Sequence, residues 1–406
     1  MYIKRDLEEK FLSTAGEYSC VLVTGMRQSG KTTMLGHLMD KGRTVVTLDD
    51  LDERRLAQDD PQMFFQLHSI PIMIDEVQYA PELFSAIKIA IDKGAAPGSF
   101  WLTGSQPFRL MELAQESLAG RCAILSMPPL SQHEIYGTGR NEPFRIDINA
   151  LKERALCGKS AGLMEIYGRI FRGSMPAFVS GRYTDRDVFY SSYTQTYIER
   201  DVKEVVSVSS NFQFLDFIRA SACRIGNVLN IHDLAKDVGV SDDTAKRWTG
   251  VLEKSGIIFF LRPYENNLLK RTIKAPKLYF SDTGLVAYLT RYSTPETLAS
   301  GALAGSVLEN YVVSEICKTY QNSAKECPAW YYRDKDGHEI DMVIEGDGFV
   351  HPIEIKRTAN PGTELTGAFR ILDQGSLKRG SGAVVCMKDT LSAMNADNFI
   401  VPIWMI

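Results

Sequence analysis

Gly25-Met26-Arg27-Gln28-Ser29-Gly30-Lys31-Thr32 decides how this chain is read. The stretch fits G-x-x-x-x-G-K-[ST], a loop that cradles phosphate groups. Ser19-Cys20-Val21-Leu22-Val23-Thr24 before it is a short apolar run that reads as a buried strand. Thr32-Thr33-Met34-Leu35-Gly36-His37-Leu38-Met39 after it spaces its apolar residues as a helix does. Glycine is required at 25 and 30 because the loop must turn back and bring bare backbone N–H groups against anionic oxygens. The helix that follows aims its positive end at the same anion. Lys31 would reach the β- and γ-phosphates, and the Thr32 hydroxyl would bind Mg²⁺. The ATP-binding set is therefore Gly25, Met26, Arg27, Gln28, Ser29, Gly30, Lys31, Thr32 and Thr33.

Downstream, Ile70-Pro71-Ile72-Met73-Ile74-Asp75-Glu76 is an apolar strand ending in two carboxylates, a Walker B pattern. Asp75 would hold Mg²⁺ directly or through water, and Glu76 would orient the attacking water. Phe100-Trp101-Leu102-Thr103-Gly104-Ser105-Gln106 is a further strand with a polar end, and its place resembles the sensor-1 strand of AAA+ ATPases. Ser105 or Gln106 would touch the γ-phosphate or the lytic water, with Thr103 a lesser candidate. Arg121 closes Ser117-Leu118-Ala119-Gly120-Arg121 at a distance typical of AAA+ arginine fingers. It is expected either to stabilise phosphoryl charge, from the same chain or a neighbour, or to sit on the surface.

Composition narrows the class. The chain has 406 residues, enough for two to four domains, and is 44% hydrophobic and 24% charged. A net charge of −4 gives no global attraction to nucleic acid, so any DNA contact needs a local patch. Seven scattered cysteines without a C-x-x-C pair argue against zinc ribbons and disulfide frameworks and suit a reducing cytosol. The charged first ten residues lack the apolar region of a secretory signal, and no apolar run approaches a membrane span. A cytoplasmic protein is expected.

These segments, with Pro129-Leu130-Ser131 and Tyr197-Ile198-Glu199-Arg200-Asp201-Val202, resemble a prokaryotic family. It carries the labels "ATP-binding protein" or "predicted ATPase, AAA+ superfamily", and its C-terminal half is a domain of unknown function. The likeness covers most of the chain. It implies ATP, Mg²⁺ and an α/β core.

Past residue 211 the pattern changes. Residues 212–223 have helical spacing, Ile231-His232-Asp233-Leu234-Ala235-Lys236-Asp237-Val238 follows, Gly239-Val240 turns, and Ser241 caps a longer helix. Two strands around a basic loop, Lys270-Arg271-Thr272-Ile273-Lys274, complete a winged helix. Asp242 and Asp243 in the first turn of its second helix would repel DNA phosphates, whereas Lys246, Arg247 and the basic loop argue the other way.

In the last quarter, strand alternation puts Ile340, Met342 and Ile344 on one face and Asp341 on the other. A hairpin at Gly346-Asp347-Gly348 then brings Asp341 near Glu354 and Lys356. Two carboxylates and a lysine on one face can bind a divalent metal and activate water against a phosphodiester. The pattern resembles the PD-(D/E)XK nuclease core, with Glu309 as its helix carboxylate; a solvated charged face is the alternative.

The expected architecture is α/β: an AAA-type P-loop NTPase with a parallel sheet at 1–137, a helical connector at 138–210, a winged helix at 211–295 and a small nuclease-like α/β domain at 296–406. The expected function is Mg²⁺-dependent ATP binding and hydrolysis, coupled to movement of the C-terminal modules. An ATP-regulated DNA-binding protein or endonuclease, and a non-catalytic nucleotide switch, remain open. A finger acting in trans would require a homo-oligomer.

Overall fold

The computed structural model describes residues 2–105, 110, 118–138, 142–198, 211–265 and 275–406. Gln106, Ser117, residues 199–202 of the signature segment and the basic loop at 270–274 lie outside them.

Five strands build the N-terminal sheet: β1 (Cys20–Thr24), β2 (Thr44–Thr47), β3 (Ile72–Asp75), β4 (Phe100–Gly104) and β5 (Cys122–Ser126). They pair in the order β2-β3-β4-β1-β5, and every pairing is parallel. A parallel sheet must be covered on both faces, so its central strand carries no polar alternation. All five residues of β1 are buried. Cys20 and Leu22 pack on one face with Phe64, Phe84 and Ile87, and Val21 and Val23 pack on the other with Leu7, Phe11 and Leu35. Each such fully buried aliphatic side chain contributes about 1.5–3 kcal/mol.

Beyond the sheet, the helices Asn211–Ala222, Ile231–Val238 and Asp242–Lys254 pack around Trp248, whose ring meets Phe214 and Phe217 edge-on at 5.2 and 5.3 Å. A hairpin of β6 (Ile258–Pro263) and β7 (Lys277–Phe280) follows. Its β6 also pairs in parallel with β8 (Ala329–Arg333), which fuses the hairpin to the C-terminal sheet. That sheet continues through β9 (Glu339–Gly346) and β10 (Phe349–Lys356), then β12 (Gly382–Cys386) and β14 (Asn398–Pro402); short β11 (Lys378–Arg379) and β13 (Ser392–Ala393) complete it. The helix Ala304–Asn322 lies against it, and the Asn310 amide locks onto both backbone groups of Phe280, at 2.7 and 2.9 Å.

The segments expected as connector, winged helix and nuclease-like domain share one hydrophobic core, which runs from Phe144 to Ile406 and also takes in Met26 of the 25–32 loop. No helix among the described residues is long and apolar enough to cross a membrane.

Candidate functional site: a nucleotide crevice and a second charged cluster

The 25–32 loop leaves the carboxyl end of β1, which is inserted between β4 and β5, so that the spatial order of the parallel strands departs from chain order there. Open parallel sheets bind ligands at such a switch point. Gly25 has φ 148°, and a Cβ there would lie 2.2 Å from the carbonyl oxygen of Met127. No side chain fits. Gly30 is left-handed at φ 94°, and Lys31–Leu38 starts its helix directly after it. The first N–H groups of that helix have no intrahelical acceptor and face the crevice. The Lys31 ammonium folds back onto the carbonyls of Gly25 and Met26, at 3.0 and 2.9 Å. Ser29 Oγ and Gln28 Oε1 are buried and have no hydrogen-bond partner among the described residues. The ammonium, the open amides and the Ser29 hydroxyl can all donate to phosphate oxygens.

The two carboxylates of β3 are held by different neighbours. Thr32 Oγ1 donates to Asp75 Oδ1 at 2.7 Å, and Thr103 Oγ1 donates to the same oxygen. The hydroxyl and carboxylate read as metal ligands thus already touch, and their chemistry fits Mg²⁺. Glu76 sits at φ 56°, a left-handed conformation uncommon for a residue with a side chain. Its Oε2 accepts from Ser105 Oγ at 2.9 Å, from Ser105 N at 3.2 Å and from Gln78 Nε2. Burial pushes this carboxyl up, but the Gln78 bond, the Lys31 charge, the Ser105 bond and the Arg27 charge outweigh it and hold the pKa below the ordinary value. Glu76 is therefore ionised at neutral pH.

Gln78 was not singled out by sequence reasoning; its one signal is its place two residues after Glu76. It is fully buried, and Gly104 makes room for it, since a Cβ there would lie 2.4 Å from Gln78 Oε1.

Arg121 lies away from the loop, in the position of a surface arginine. Cys20 pairs with Cys122, so Arg121 stands at the amino end of β5, whereas the loop leaves the opposite end of the sheet. The five residues of β1 lie between the two levels, a separation of about 20 Å. Its guanidinium pairs with Asp92 at 2.6 Å instead.

Arg5, which carries no motif, proves central. It is 3% exposed, and its guanidinium donates to the Ser29 carbonyl at 2.7 Å, the Pro128 carbonyl at 2.8 Å and the Glu134 carboxylate at 2.8 Å. Glu134 completes a capping box with Ser131 on the Gln132–Tyr136 helix. The next amide, Gln132 N, donates to Glu315 Oε2 at 2.8 Å, and Lys318 bridges Glu315, Leu130 and Ser174. Met26 meanwhile inserts into the large core, and a Cβ on Gly256 would lie 3.6 Å from its amide nitrogen. The loop backbone is thus gripped by the rest of the chain.

The second cluster lies where the Ala304–Asn322 helix crosses β7, β9 and β10. Glu309 accepts from Lys277 Nζ at 3.1 Å and from Tyr279 OH at 2.6 Å, and Lys277 also pairs with Glu339 at 2.6 Å. Lys356 lies 2.5 Å from Glu354 and 3.7 Å from Asp341, whose Oδ2 accepts from Ile355 N at 2.8 Å. Asp341 and Glu354 are buried. Burial first, then the Asp341 charge, raises the Glu309 carboxyl, and the same two causes bring Glu354 up to about 7. Burial lowers Lys277, but Glu309, Asp341 and Glu339 overcome it and raise its pKa.

The expected alternation fails at Ile340. The β8–β9 register shifts between Trp330 and Tyr332, so Ile340 joins Val343 and Val350 in a small cluster, while Met342 and Ile344 enter the large core. Such a bulge re-aims the neighbouring side chains. Among the described residues, three ligand groups within 4.8 Å of one another occur at Asp334, Asp336 and His338, in the turn between β8 and β9. In the buried cluster, lysines bridge the carboxylates instead.

Residues 17–136 match the model of an AAA domain. Residues 164–296 and 304–406 match two domains of unknown function, DUF8612 and DUF4143. The chain is similar to uncharacterised proteins of Mycobacterium bovis and Mycobacterium tuberculosis, each 26% identical over 98% of this chain and 84% of the relative. A Walker-type ATPase of Pyrococcus abyssi is similar at 16% identity over 71% of this chain and 96% of that one, with a TM-score of 0.45. The AAA match and the parallel sheet with its phosphate loop support an AAA-type ATPase domain of P-loop NTPase fold at the N-terminus.

Proposed function

We propose that the chain binds and hydrolyses ATP with Mg²⁺ in the β1–β3–β4 crevice, and that the nucleotide state moves the C-terminal body. The observation that carries this reading is the joint placement of Thr32 on Asp75 and of Ser105 on Glu76 beside the 25–32 loop. The loop amides and Lys31 bind the phosphates. Thr32 and Asp75 are the side chains to hold Mg²⁺, which when bound neutralises phosphate charge. Glu76, kept ionised, orients and polarises the attacking water, and Ser105 fixes its carboxylate. Coupling is supported by the buried polar path from Ser29 through Arg5 and Glu134 to the Ser131–Gln132 backbone and on to Glu315, which shares its helix with Glu309.

ATP titration and steady-state hydrolysis test it. Lys31→Ala is expected to abolish binding, and Glu76→Gln to bind ATP but turn it over slowly. A Glu76→Gln protein at the parent rate removes Glu76 from that role.

A second reading is favoured by the convergence of Glu309, Asp341, Glu354 and Lys356: a DNA nuclease under nucleotide control, its winged helix formed by the Asp242–Lys254 helix and the β6–β7 hairpin. Cleavage of several DNA forms with Mg²⁺ or Mn²⁺, parent against Asp341→Ala, tests it; identical behaviour rejects it.

A further inference from the structure

A cleft of about 700 Å³ opens beside the 25–32 loop, within the roughly 300–1,000 Å³ range of small-molecule sites. One wall is the loop from Gln28 to Thr33, with Glu76. The other includes Pro176, Ala177, Arg182 and Tyr183, outside the residues that match the AAA domain.

This second wall is anchored. Ser174 donates through its amide and hydroxyl to buried Asp282, at 2.6 and 3.0 Å, and receives Lys318 at 3.2 Å. Met175 is buried in the large core. Tyr183 N donates back to the Ala177 carbonyl at 3.3 Å, and the Tyr183 ring packs on Phe189 at 5.6 Å. A Cβ on Gly30 would lie 3.6 Å from Pro176 Cγ, so the wall stands at van der Waals distance from the loop.

Its chemistry is uneven along its length. At the loop it offers amides, Lys31 and the orphaned Ser29 hydroxyl, all suited to anionic oxygen. At the far wall Tyr183 is 44% exposed, and an aromatic ring is a stacking surface that every base can use. The Arg182 guanidinium lies 5.6 Å from the Tyr183 ring centre, and among the described residues it has no carboxylate partner within 4.0 Å. A guanidinium without an acid, facing a phosphate-binding loop, is matched by a phosphate.

We propose that residues 176–183 form the nucleoside wall of the site: Tyr183 stacks on the base of a nucleoside triphosphate, and Arg182 pairs with its phosphates. The inference rests on the nucleotide-binding reading above. It makes the site composite, with phosphates held by the N-terminal domain and the nucleoside by the segment that follows it.

The experiment is calorimetric titration of the full chain with ATP and with inorganic tripolyphosphate, both with Mg²⁺. Tyr183→Ala is expected to lose ~10-fold in ATP affinity and nothing for tripolyphosphate, and Tyr183→Phe to keep parent affinity for both. Arg182→Ala is expected to weaken both ligands. Equal loss of both ligands in Tyr183→Ala, or unchanged ATP affinity, overturns the proposal. A parent protein that binds neither ligand overturns the nucleotide reading itself, and this inference with it.

Discussion

Replacing Gly25 by Ala tests the loop geometry with a single methyl group. A Cβ at this position would lie 2.2 Å from the Met127 carbonyl oxygen, and the contact is with backbone that cannot swing aside. An ordinary C···O contact is about 3.3–3.6 Å, so the loop must retreat by roughly 1 Å. The new residue also inherits φ 148°, which costs an alanine about 1–2 kcal/mol. Phosphate binding requires amides within about 2.7–3.2 Å of oxygen, and losing a hydrogen bond to a charged oxygen costs about 1.5–3 kcal/mol, up to on the order of 100-fold in affinity. Gly25→Ala is therefore expected to bind ATP about 100-fold more weakly and to melt earlier by the strain. Calorimetric titration and thermal unfolding of the full chain measure the two effects. Gly36→Ala is the control: nothing lies within 4 Å of its Cβ, so it should stabilise the Lys31–Leu38 helix by about 1 kcal/mol. A Gly25→Ala protein with parent affinity for ATP would refute the reasoning.

Three more predictions address the surroundings. Arg5→Ala strands the buried Glu134 carboxylate and frees the Ser29 carbonyl, so a loss of about 3–5 kcal/mol in stability and weaker ATP binding are expected; an unchanged melting point counts against the buttress. Burial, then the Arg154 charge, holds His133 down to about 4, while an unfolded imidazole titrates near 6.5. The unfolded chain binds the extra proton in that window, so this residue's contribution is whole above pH 6.5 and lost as pH falls toward 4, about 3 kcal/mol in all. His133→Gln keeps an acceptor for Arg154 without titrating, and should flatten melting temperature against pH; parallel curves would dispose of the assignment. Arg121→Ala removes an exposed pair with Asp92, should cost under about 1 kcal/mol, and should leave hydrolysis by the monomer unchanged; a collapse of the monomer's rate would contradict its placement.

The meeting of the 25–32 loop with Asp75 and Glu76 was legible because each part is contiguous. Gly25 to Thr32 sit between an apolar strand and a helix, and Asp75-Glu76 end another strand, so each piece announces its geometry within a dozen residues. Glu354 and Lys356 could likewise be placed by strand alternation alone. What the chain could not announce depends on pairing at a distance. The end of the sheet that Arg121 occupies follows from the parallel register of Cys20 with Cys122. The face taken by Ile340 follows from a register shift against β8, which no local pattern encodes.

Sequence by itself determined the chemistry of the loop and of the carboxylates, since backbone conformation and periodicity are local properties. Tertiary structure alone decided which distant groups grip them. Arg5 meets Glu134 across 129 positions, Lys277 reaches the helical Glu309 from β7, and Met26 is claimed by a core outside its own domain. The physical reason is burial: an ionic group removed from water must be met by partners, and only the folded chain selects them.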